Sequence, residues 1–273
     1  MDAATGALLV LVAIVVTLDE WDLHGAFVLI PFLVVALVAL LAIRVARSRQ
    51  AFVLAALVLT GVAMAVLPDW QQTVLRGLGS AAFIAAFFAA LTTLRNVAES
   101  SPAIRAAGTF LAEQPPGRRY AALTVGSHLF ALLLNYGAIS LLGNLATTSA
   151  AQEPNAEIRR HRIRRMLLAI QRGFVSSLPW SPLGFSMAIT NALIPGARWA
   201  DSVSAGFVSA GIILVAGWAL DTIFKPRLSV PPPPRGPVEG SWGLLRPLLV
   251  LLVLLGVTVS VLHNQTGVRI VGV

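Results

Sequence analysis

Long apolar runs alternate with short polar segments along the chain. A helix of about 20 apolar residues is long enough to cross the roughly 30 Å hydrocarbon core of a bilayer. By this criterion the runs predict spanning helices at residues 3–18, 25–43, 51–67, 78–94, 166–194, 203–223 and 243–262. We therefore expect an all-α integral membrane protein with about seven transmembrane helices.

Composition agrees with a protein whose solvent is the lipid bilayer. Hydrophobic residues make up 57% of the chain and charged residues only 12%, whereas soluble domains carry about 25% charged residues. The net charge of +8 does not indicate nucleic acid binding, because the basic residues lie between the apolar runs without interleaved aromatic side chains. The chain has no cysteine, which excludes disulfides, thiol catalysis and cysteine-ligated metals.

The charges between the spans predict how the chain is oriented. Short loops rich in lysine and arginine stay in the cytoplasm. The turn 19–22 after the first span is acidic, whereas the segment 44–49 after the second span carries three arginines. We therefore expect a multi-pass protein of the cell inner (plasma) membrane with its basic loops in the cytoplasm.

Residues 120–149 do not fit a simple crossing. The loop that follows them holds the densest basic cluster of the chain, Arg159, Arg160, Arg162, Arg164 and Arg165. This loop must be cytoplasmic, so the segment before it has to enter and leave on the same side. Thirty residues are too few for two full spans of about 20 residues each. The segment is predicted to be a re-entrant helical hairpin with its turn at Asn135 to Ser140.

A second irregular element lies in the predicted span 166–194. Its middle reads Ser-Ser-Leu-Pro-Trp-Ser-Pro-Leu-Gly over residues 176–184. Proline removes an amide donor and clashes with the carbonyl four residues earlier, so Pro179 and Pro182 together should unwind the helix. We expect a broken helix between Ser177 and Gly184, whose second half begins near Ser181 or Pro182.

These two breaks predict a binding site. Non-helical backbone at membrane depth is tolerated only where protein or a water-filled cavity satisfies its polar groups. Arg172 is the only charge well inside a span, and it either binds an anion or reaches the cytoplasmic interface. In the alternative interpretation the breaks only make turns and pack. The candidate substrate-binding residues are Asn135, Tyr136, Gly137, Ser140, Arg172, Ser177, Trp180 and Ser181.

The sequence gives little support for catalysis or metal binding. No aspartate or glutamate lies in the middle of a predicted span, where proton relays and metal pairs need one. We expect no cofactor, no metal site and no enzyme activity. A coupling cation would take carbonyl, asparagine and serine oxygens as ligands, which favours sodium, and His128 is either a proton-coupling group or a structural hydrogen-bonding residue.

The pattern divides the chain into four parts. Residues 95–119 are either an interfacial amphipathic helix or a plain loop, and residues 230–237 form a stiff polyproline spacer. Small residues at Ser202, Gly206 and Ala210 form a stripe suited to helix packing in a dimer. The parts are N-terminal scaffold helices (1–94), a connector (95–119), a hairpin and broken-helix transport unit (120–201) and C-terminal helices (202–273).

The order of a hairpin carrying Asn135, a basic cytoplasmic loop and a broken helix around Pro179 and Pro182 resembles the ion transporter superfamily over residues 80–223. Its members include divalent-anion/sodium symporters and arsenite-efflux-type permeases. The resemblance implies that Asn135 matches the asparagine of a Ser-Asn-Thr motif and that residues 177–184 match the unwound linker. Here Leu134 and Tyr136 flank the asparagine. The resemblance also implies two inverted halves, so this chain corresponds to an N-terminal half or a truncated product.

Taken together, the residues and the resemblance predict a secondary active transporter that works by alternating access. Its substrate is a small anion, a carboxylate or an inorganic oxyanion, and coupling to a sodium ion or a proton is expected. Its partners are the lipid bilayer and either a second copy in a homodimer or a missing C-terminal half. The alternative function is that of a non-transporting membrane interaction or assembly subunit.

Overall fold

The structure of the protein, a computed structural model, describes residues 3–21, 25–224, 228–229 and 240–266. Within these residues all regular structure is helical. Short 3₁₀ turns at Ala26–Leu29 and Trp242–Leu245 precede the second and the last α-helix. The α-helices are α1 (Ala3–Glu20), α2 (Ile30–Ala42), α3 (Arg47–Val66), α4 (Trp70–Ser100), α5 (Pro102–Ala112), α6 (Pro116–Leu134), α7 (Gly137–Ala151), α8 (Ala156–Ser177), α9 (Phe185–Leu193), α10 (Trp199–Ile223) and α11 (Arg246–Thr266).

Five helices in the described part of the chain are long and apolar enough to cross a membrane: α1, α3, α4, α10 and α11 with its preceding turn. The prediction of a helical membrane protein is confirmed at this level. Two of the predicted spans are not long apolar helices. The run 25–43 yields α2, which has 13 residues, and the run 166–194 is divided between α8 and α9.

Buried apolar side chains form two separate clusters. The smaller cluster joins α1, α2 and the first half of α4, and its members are Val12, Val15, Val16, Ile30, Val34, Leu37, Ala82 and Ala86. The larger cluster joins α5, α6, α7 and α8, with Phe130 and Leu142 among its fully buried members. α4 contributes to both clusters, through Ala82 and through Ala98, so it connects the two parts of the molecule.

Helices α6 and α8 pack at very short range because small residues face each other. A Cβ atom added to Gly173 would lie 2.1 Å from the carbonyl oxygen of Thr124. Next to this contact, the hydroxyl of Ser127 donates a hydrogen bond of 2.8 Å to the carbonyl of Ile170. Small residues and interhelical hydrogen bonds of this kind drive helix association in lipid, where apolar burial alone gives little.

The connector 95–119 contains α5, so the plain-loop alternative is wrong for residues 102–112. One face of α5 is fully buried, with Ile104 and Ala107 at 0% exposure. Gly108 lies against the side chains of Leu142 and Leu145 in α7. The apolar face of this helix therefore covers the hairpin.

The basic cluster expected in a loop is helical. α8 begins at Ala156, and the Oδ1 atom of Asn155 caps it by accepting hydrogen bonds from the amides of Glu157 (2.9 Å) and Ile158 (3.1 Å). The loop expectation was wrong because arginine is a good helix former and the cap lies upstream of the charges. Arginines three and four residues apart consequently share a helix face.

The stripe of small residues on α10 packs within the chain at its centre. A Cβ atom on Gly206 would lie 2.2 Å from the carbonyl oxygen of Pro179, and Ala210 is buried. This contact holds α10 against the broken segment, so Gly206 faces the chain itself, while Ser202 is partly exposed. The predicted polyproline spacer at 230–237 lies outside the described residues.

Candidate functional site

The hairpin turn is formed by two residues between α6 and α7. Asn135 ends α6 with φ 49° and ψ −128°, the one positive φ outside glycine in the described residues; these angles are close to those of the first central residue of a type II′ turn, where glycine dominates and asparagine also occurs. Gly137 is the first residue of α7. The turn is therefore shorter than predicted, because Ser140 already belongs to α7. Among the first amides of α7, those of Ala138 and Ile139 already bond to the carbonyls of Asn135 (3.0 Å) and Tyr136 (3.2 Å).

The side chain of Asn135 joins the tip of the hairpin to the broken segment. Its Nδ2 atom donates a hydrogen bond of 3.0 Å to the carbonyl oxygen of Leu183. Its Oδ1 atom is buried and has no hydrogen-bond partner in the described part of the chain. A buried polar atom without a partner costs about 1–3 kcal/mol, so this oxygen is a natural acceptor for a ligand.

The helix interruption expected around Pro179 and Pro182 is present: α8 ends at Ser177 and α9 begins at Phe185. The start expected near Ser181 or Pro182 was too early. Residues 178–184 instead form consecutive turns, in which the amide of Ser181 bonds to the carbonyl of Ser177 (3.0 Å) and the amide of Gly184 to the carbonyl of Ser181 (2.9 Å).

Trp180 is the centre of an aromatic stack in this break. Its ring lies parallel to His128 at 5.6 Å and to Phe207 at 4.4 Å between ring centroids. Its carbonyl accepts a hydrogen bond of 2.6 Å from the indole nitrogen of Trp199. Its own indole nitrogen is buried without an acceptor among the described residues. The break thus offers a free donor, and the tip offers a free acceptor.

His128 has a structural partner. Its Nδ1 atom lies 2.7 Å from the hydroxyl of Ser176, which is itself 2.7 Å from the carbonyl oxygen of Gly173. A hydroxyl carries one hydrogen, so if Ser176 donates it to Gly173 the hydroxyl accepts from a protonated Nδ1 of His128. This pair links the hairpin to the last turn of α8, next to the break.

The other tip residues differ in their exposure. Tyr136 is half exposed, and its ring lies beside Phe174 (5.0 Å) and Phe185 (6.1 Å). Ser140 is exposed one turn further along the same face of α7. Ser177, the last residue of α8, is buried and its hydroxyl donates to the carbonyl of Phe174, while Ser181 in the break is 2% exposed. Tyr136 is thus the tip side chain most open to an incoming molecule.

Gly137 brings a charged pair to the tip that the sequence argument missed. A Cβ atom on this glycine would lie 2.6 Å from Oε1 of Glu99 and 2.7 Å from Nε of Arg95. The two side chains form an ion pair of 2.9 Å in the last two turns of α4, and both are partly exposed. The spacing of four residues between Arg95 and Glu99 could have revealed the pair, but not that the hairpin tip packs against it.

Arg172 lies away from the tip. Its Nη1 atom donates hydrogen bonds to the hydroxyl of Tyr120 (2.5 Å) and to the carbonyl of Gly217 (2.7 Å). Tyr120 stands 15 residues before Asn135, which is about 22 Å along α6. Side chains on a helix point toward its N-terminus, so the long side chain of Arg172 extends away from the break. It ties α6 and α8 to α10.

Comparison with other proteins adds no assignment. No protein-family model, no curated protein and no solved structure matches this chain. Among the described residues, no group of three or more histidine, aspartate and glutamate side chains is arranged to hold a metal ion. The site is therefore defined by its own geometry: a hairpin tip and an interrupted helix in contact, with an ion pair beside them.

Proposed function

We propose that this protein is a secondary active transporter of a small anion, and that its substrate site lies where the hairpin tip meets the broken segment. The observation that carries the proposal is the contact from Asn135 to the carbonyl of Leu183. Two interruptions of helical backbone that are 48 residues apart in sequence come together there. Such paired interruptions form ion and substrate sites in transporters.

The polar groups at this place suit an anion. The buried indole N–H of Trp180 has no acceptor in the described chain and can donate to an anion, whereas the unpaired Oδ1 of Asn135 is an acceptor that suits a cation or a donor group of the substrate. α7 and α9 both begin at the site, so the positive ends of two helix dipoles lie near it. Arg172 does not reach this place, and Arg95, beside Gly137, is paired with Glu99, so it can offer an anion only the N–H donors that Glu99 does not take.

Coupling to a cation follows from the same groups. The Oδ1 of Asn135 and the carbonyls of residues 178–184 are neutral oxygen ligands, which suit sodium. During alternating access the hairpin and the broken helix would move against α1, α2 and the first half of α4, which have a separate apolar cluster. The protein would lie in the inner (plasma) membrane with its basic segments in the cytoplasm.

The second candidate is a non-transporting assembly or interaction subunit. One observation favours it: aromatic rings from four elements pack around the tip and the break, including Tyr136, Phe174, Phe185 and Trp180. If this packing is permanent, the breaks serve only the fold. The two candidates differ in whether the tip must open to water.

Uptake into proteoliposomes tests the proposal. Purified protein would be reconstituted and supplied with radiolabelled succinate, sulfate or phosphate, with either sodium or potassium outside. Transport predicts uptake of at least one anion above the level of empty vesicles, together with a rise in melting temperature when that anion is added to detergent-solubilised protein. Neither uptake nor thermal stabilisation by any of the three would favour the assembly subunit.

The proposed orientation has its own test. The chain has no cysteine, so single cysteines can be labelled without background. Arg118 and Gln152 lie on exposed ends of the hairpin, at the start of α6 and just after α7. A membrane-impermeant maleimide should label both Arg118→Cys and Gln152→Cys from the cytoplasmic side only. Labelling from opposite sides would exclude a hairpin that enters and leaves on one side.

A further inference from the structure

A cluster of arginines lies at the end of the bundle opposite the hairpin tip. Arg119 is in the first turn of α6, and Arg162 and Arg165 are in the first three turns of α8. Ser149 comes from the end of α7 and Asp221 from the end of α10. The ends of four helices therefore converge around three guanidinium groups.

Only part of this cluster is satisfied by the protein. Arg165 forms a two-point ion pair with Asp221, with Nε–Oδ1 at 3.0 Å and Nη2–Oδ2 at 2.5 Å. Nη2 of Arg162 donates to the hydroxyl of Ser149 at 2.8 Å. The Nε atoms of Arg119 and Arg162 are buried and have no acceptor in the part of the chain that the structure describes.

The charge of the cluster is also incompletely balanced. Burial, together with the positive charges of Arg162 and Arg165, lowers the pKa of Arg119 to about 10. The guanidinium stays protonated at neutral pH, so the repulsion persists in the folded protein. Glu113 and Glu153 act on Arg162 at a distance, and neither forms an ion pair with Arg119 or Arg162 among the described residues.

We propose that Arg119, Arg162 and Ser149, with Arg165 beside them, bind a phosphate group. Arginine presents paired N–H donors that match phosphate oxygens, and an anion would occupy the two unpaired Nε–H donors. The chemistry fits both the headgroup of an anionic phospholipid and a free phosphate. The position at the predicted cytoplasmic ends of α6 and α8 is where anionic headgroups meet basic residues. The site is separate from the substrate site at the hairpin tip.

The opposite face of α8 supplies matched controls. Arg160 and Arg164 lie on the same helix but are exposed, and neither has a hydrogen bond or ion pair within the described residues. Replacing one of them by glutamine removes the same charge as replacing Arg162, without touching the cluster. A loss of phosphate binding in the Arg162 variant alone is then due to the arginine cluster and not to the general basic charge of α8.

The experiment measures thermal stability with two probes. Delipidated protein would receive inorganic phosphate against chloride at equal ionic strength, and separately would be placed in phosphatidylcholine nanodiscs with increasing phosphatidylglycerol. We expect saturable stabilisation by at least one probe. Arg119→Gln and Arg162→Gln should raise the half-saturating concentration about tenfold, whereas Arg160→Gln and Arg164→Gln should change it less than twofold. Because inorganic phosphate is also a candidate substrate, a phosphate response is assigned to the arginine cluster only if Arg119→Gln and Arg162→Gln weaken it and Asn135→Gly, at the proposed substrate site, does not; the response to phosphatidylglycerol should be unchanged in Asn135→Gly.

The outcomes separate the sources of the phosphate. Stabilisation by inorganic phosphate alone identifies a free anion, and stabilisation by phosphatidylglycerol alone identifies a lipid. If the glutamine variants do not fold, Arg162→Lys decides, because lysine keeps the charge but lacks the forked donors, and its half-saturating concentration should still rise at least fivefold. No saturable response to either probe, wild-type affinity in Arg162→Lys, or an equal loss in the Arg160 and Arg164 variants would overturn the proposal.

Discussion

Helices α3 and α6 are almost equal in length, at 20 and 19 residues, but they have opposite relations to the rest of the protein. α3 has no buried residue, whereas ten residues of α6 are buried. The middle of α3 is almost wholly aliphatic, while α6 contains Thr124, Gly126, Ser127 and His128. In a bilayer apolar side chains are satisfied by lipid, so small and polar residues mark the surfaces that need protein.

The same contrast distinguishes the two ends of the molecule. α1, α2 and the first half of α4 share a small apolar cluster, and most of their remaining side chains are exposed or partly exposed. The helices around the hairpin bury apolar residues on several sides and add hydrogen bonds between helices. We therefore expect substitutions around the hairpin to be costly and those in α3 to be tolerated.

The largest effect should come from a matched pair of phenylalanines. Phe130 in α6 is 0% exposed and Phe52 in α3 is 78% exposed. Phe130→Ala should lower the free energy of unfolding by about 3 kcal/mol, the low end of the usual range, since in lipid the cost is mainly lost packing. Phe52→Ala should change it by less than about 0.5 kcal/mol. Equal melting temperatures of the two variants in detergent would contradict the division into protein-facing and lipid-facing helices.

A glycine pair sharpens the comparison. A Cβ atom added to Gly173 would lie 2.1 Å from the carbonyl oxygen of Thr124, whereas a Cβ atom added to Gly61 would have no neighbour within 4 Å. Gly173→Ala should destabilise the protein by about 2 kcal/mol because α6 and α8 must separate. Gly61→Ala should be neutral or stabilising by up to about 1 kcal/mol, since alanine favours helix. Thermal unfolding of both variants checks this, and a stable Gly173→Ala would show that the close approach of the helices is not required.

Ion pairs should also contribute more to stability at buried positions than at exposed ones. Asp221 is 12% exposed in its pair with Arg165, whereas Asp201 is 56% exposed in its pair with Arg198. Asp221→Asn leaves the half-buried Arg165 without its partner and should cost about 1.5 kcal/mol. Asp201→Asn should leave the melting temperature unchanged, because exposed pairs contribute little. If the two variants have the same melting temperature, the Arg165–Asp221 pair does not hold α8 to α10.

Local sequence predicted the elements that depend on local chemistry. Pro179 and Pro182 predicted the interruption between α8 and α9, because proline cannot maintain the hydrogen bonds of a helix wherever the segment packs. Asn135 was correctly placed in the turn between α6 and α7. The start of α8 was missed because the charges of 159–165 were assigned to a loop, although Asn155 is a good N-cap.

What the sequence could not predict depends on three-dimensional neighbours. Arg172 was a candidate substrate ligand until its partners Tyr120 and Gly217 were known, and they are 52 and 45 residues away. The proximity of Arg95 to the tip is likewise set by the packing of α4 on the hairpin. The length and apolar character of a run identify a spanning helix, but they do not specify which charged side chain reaches which helix end.

The hairpin tip is the region where stability and function should separate most clearly. Asn135→Gly keeps the positive φ without strain and removes the side-chain amide, and Asn144→Ala is a control at an exposed position on α7. If water reaches the tip, water can replace the bond to Leu183, so the melting temperature of Asn135→Gly should change little.

The most direct test of the substrate site is the concentration dependence of uptake by these two variants in proteoliposomes, using whichever of succinate, sulfate and phosphate the wild-type protein transports. Asn135→Gly should raise the half-saturating concentration about tenfold, equivalent to about 1.4 kcal/mol, while Asn144→Ala should match the wild type. A lowered melting temperature with unchanged half-saturating concentration in Asn135→Gly would show that Asn135 serves the fold, and would contradict a substrate site at the hairpin tip.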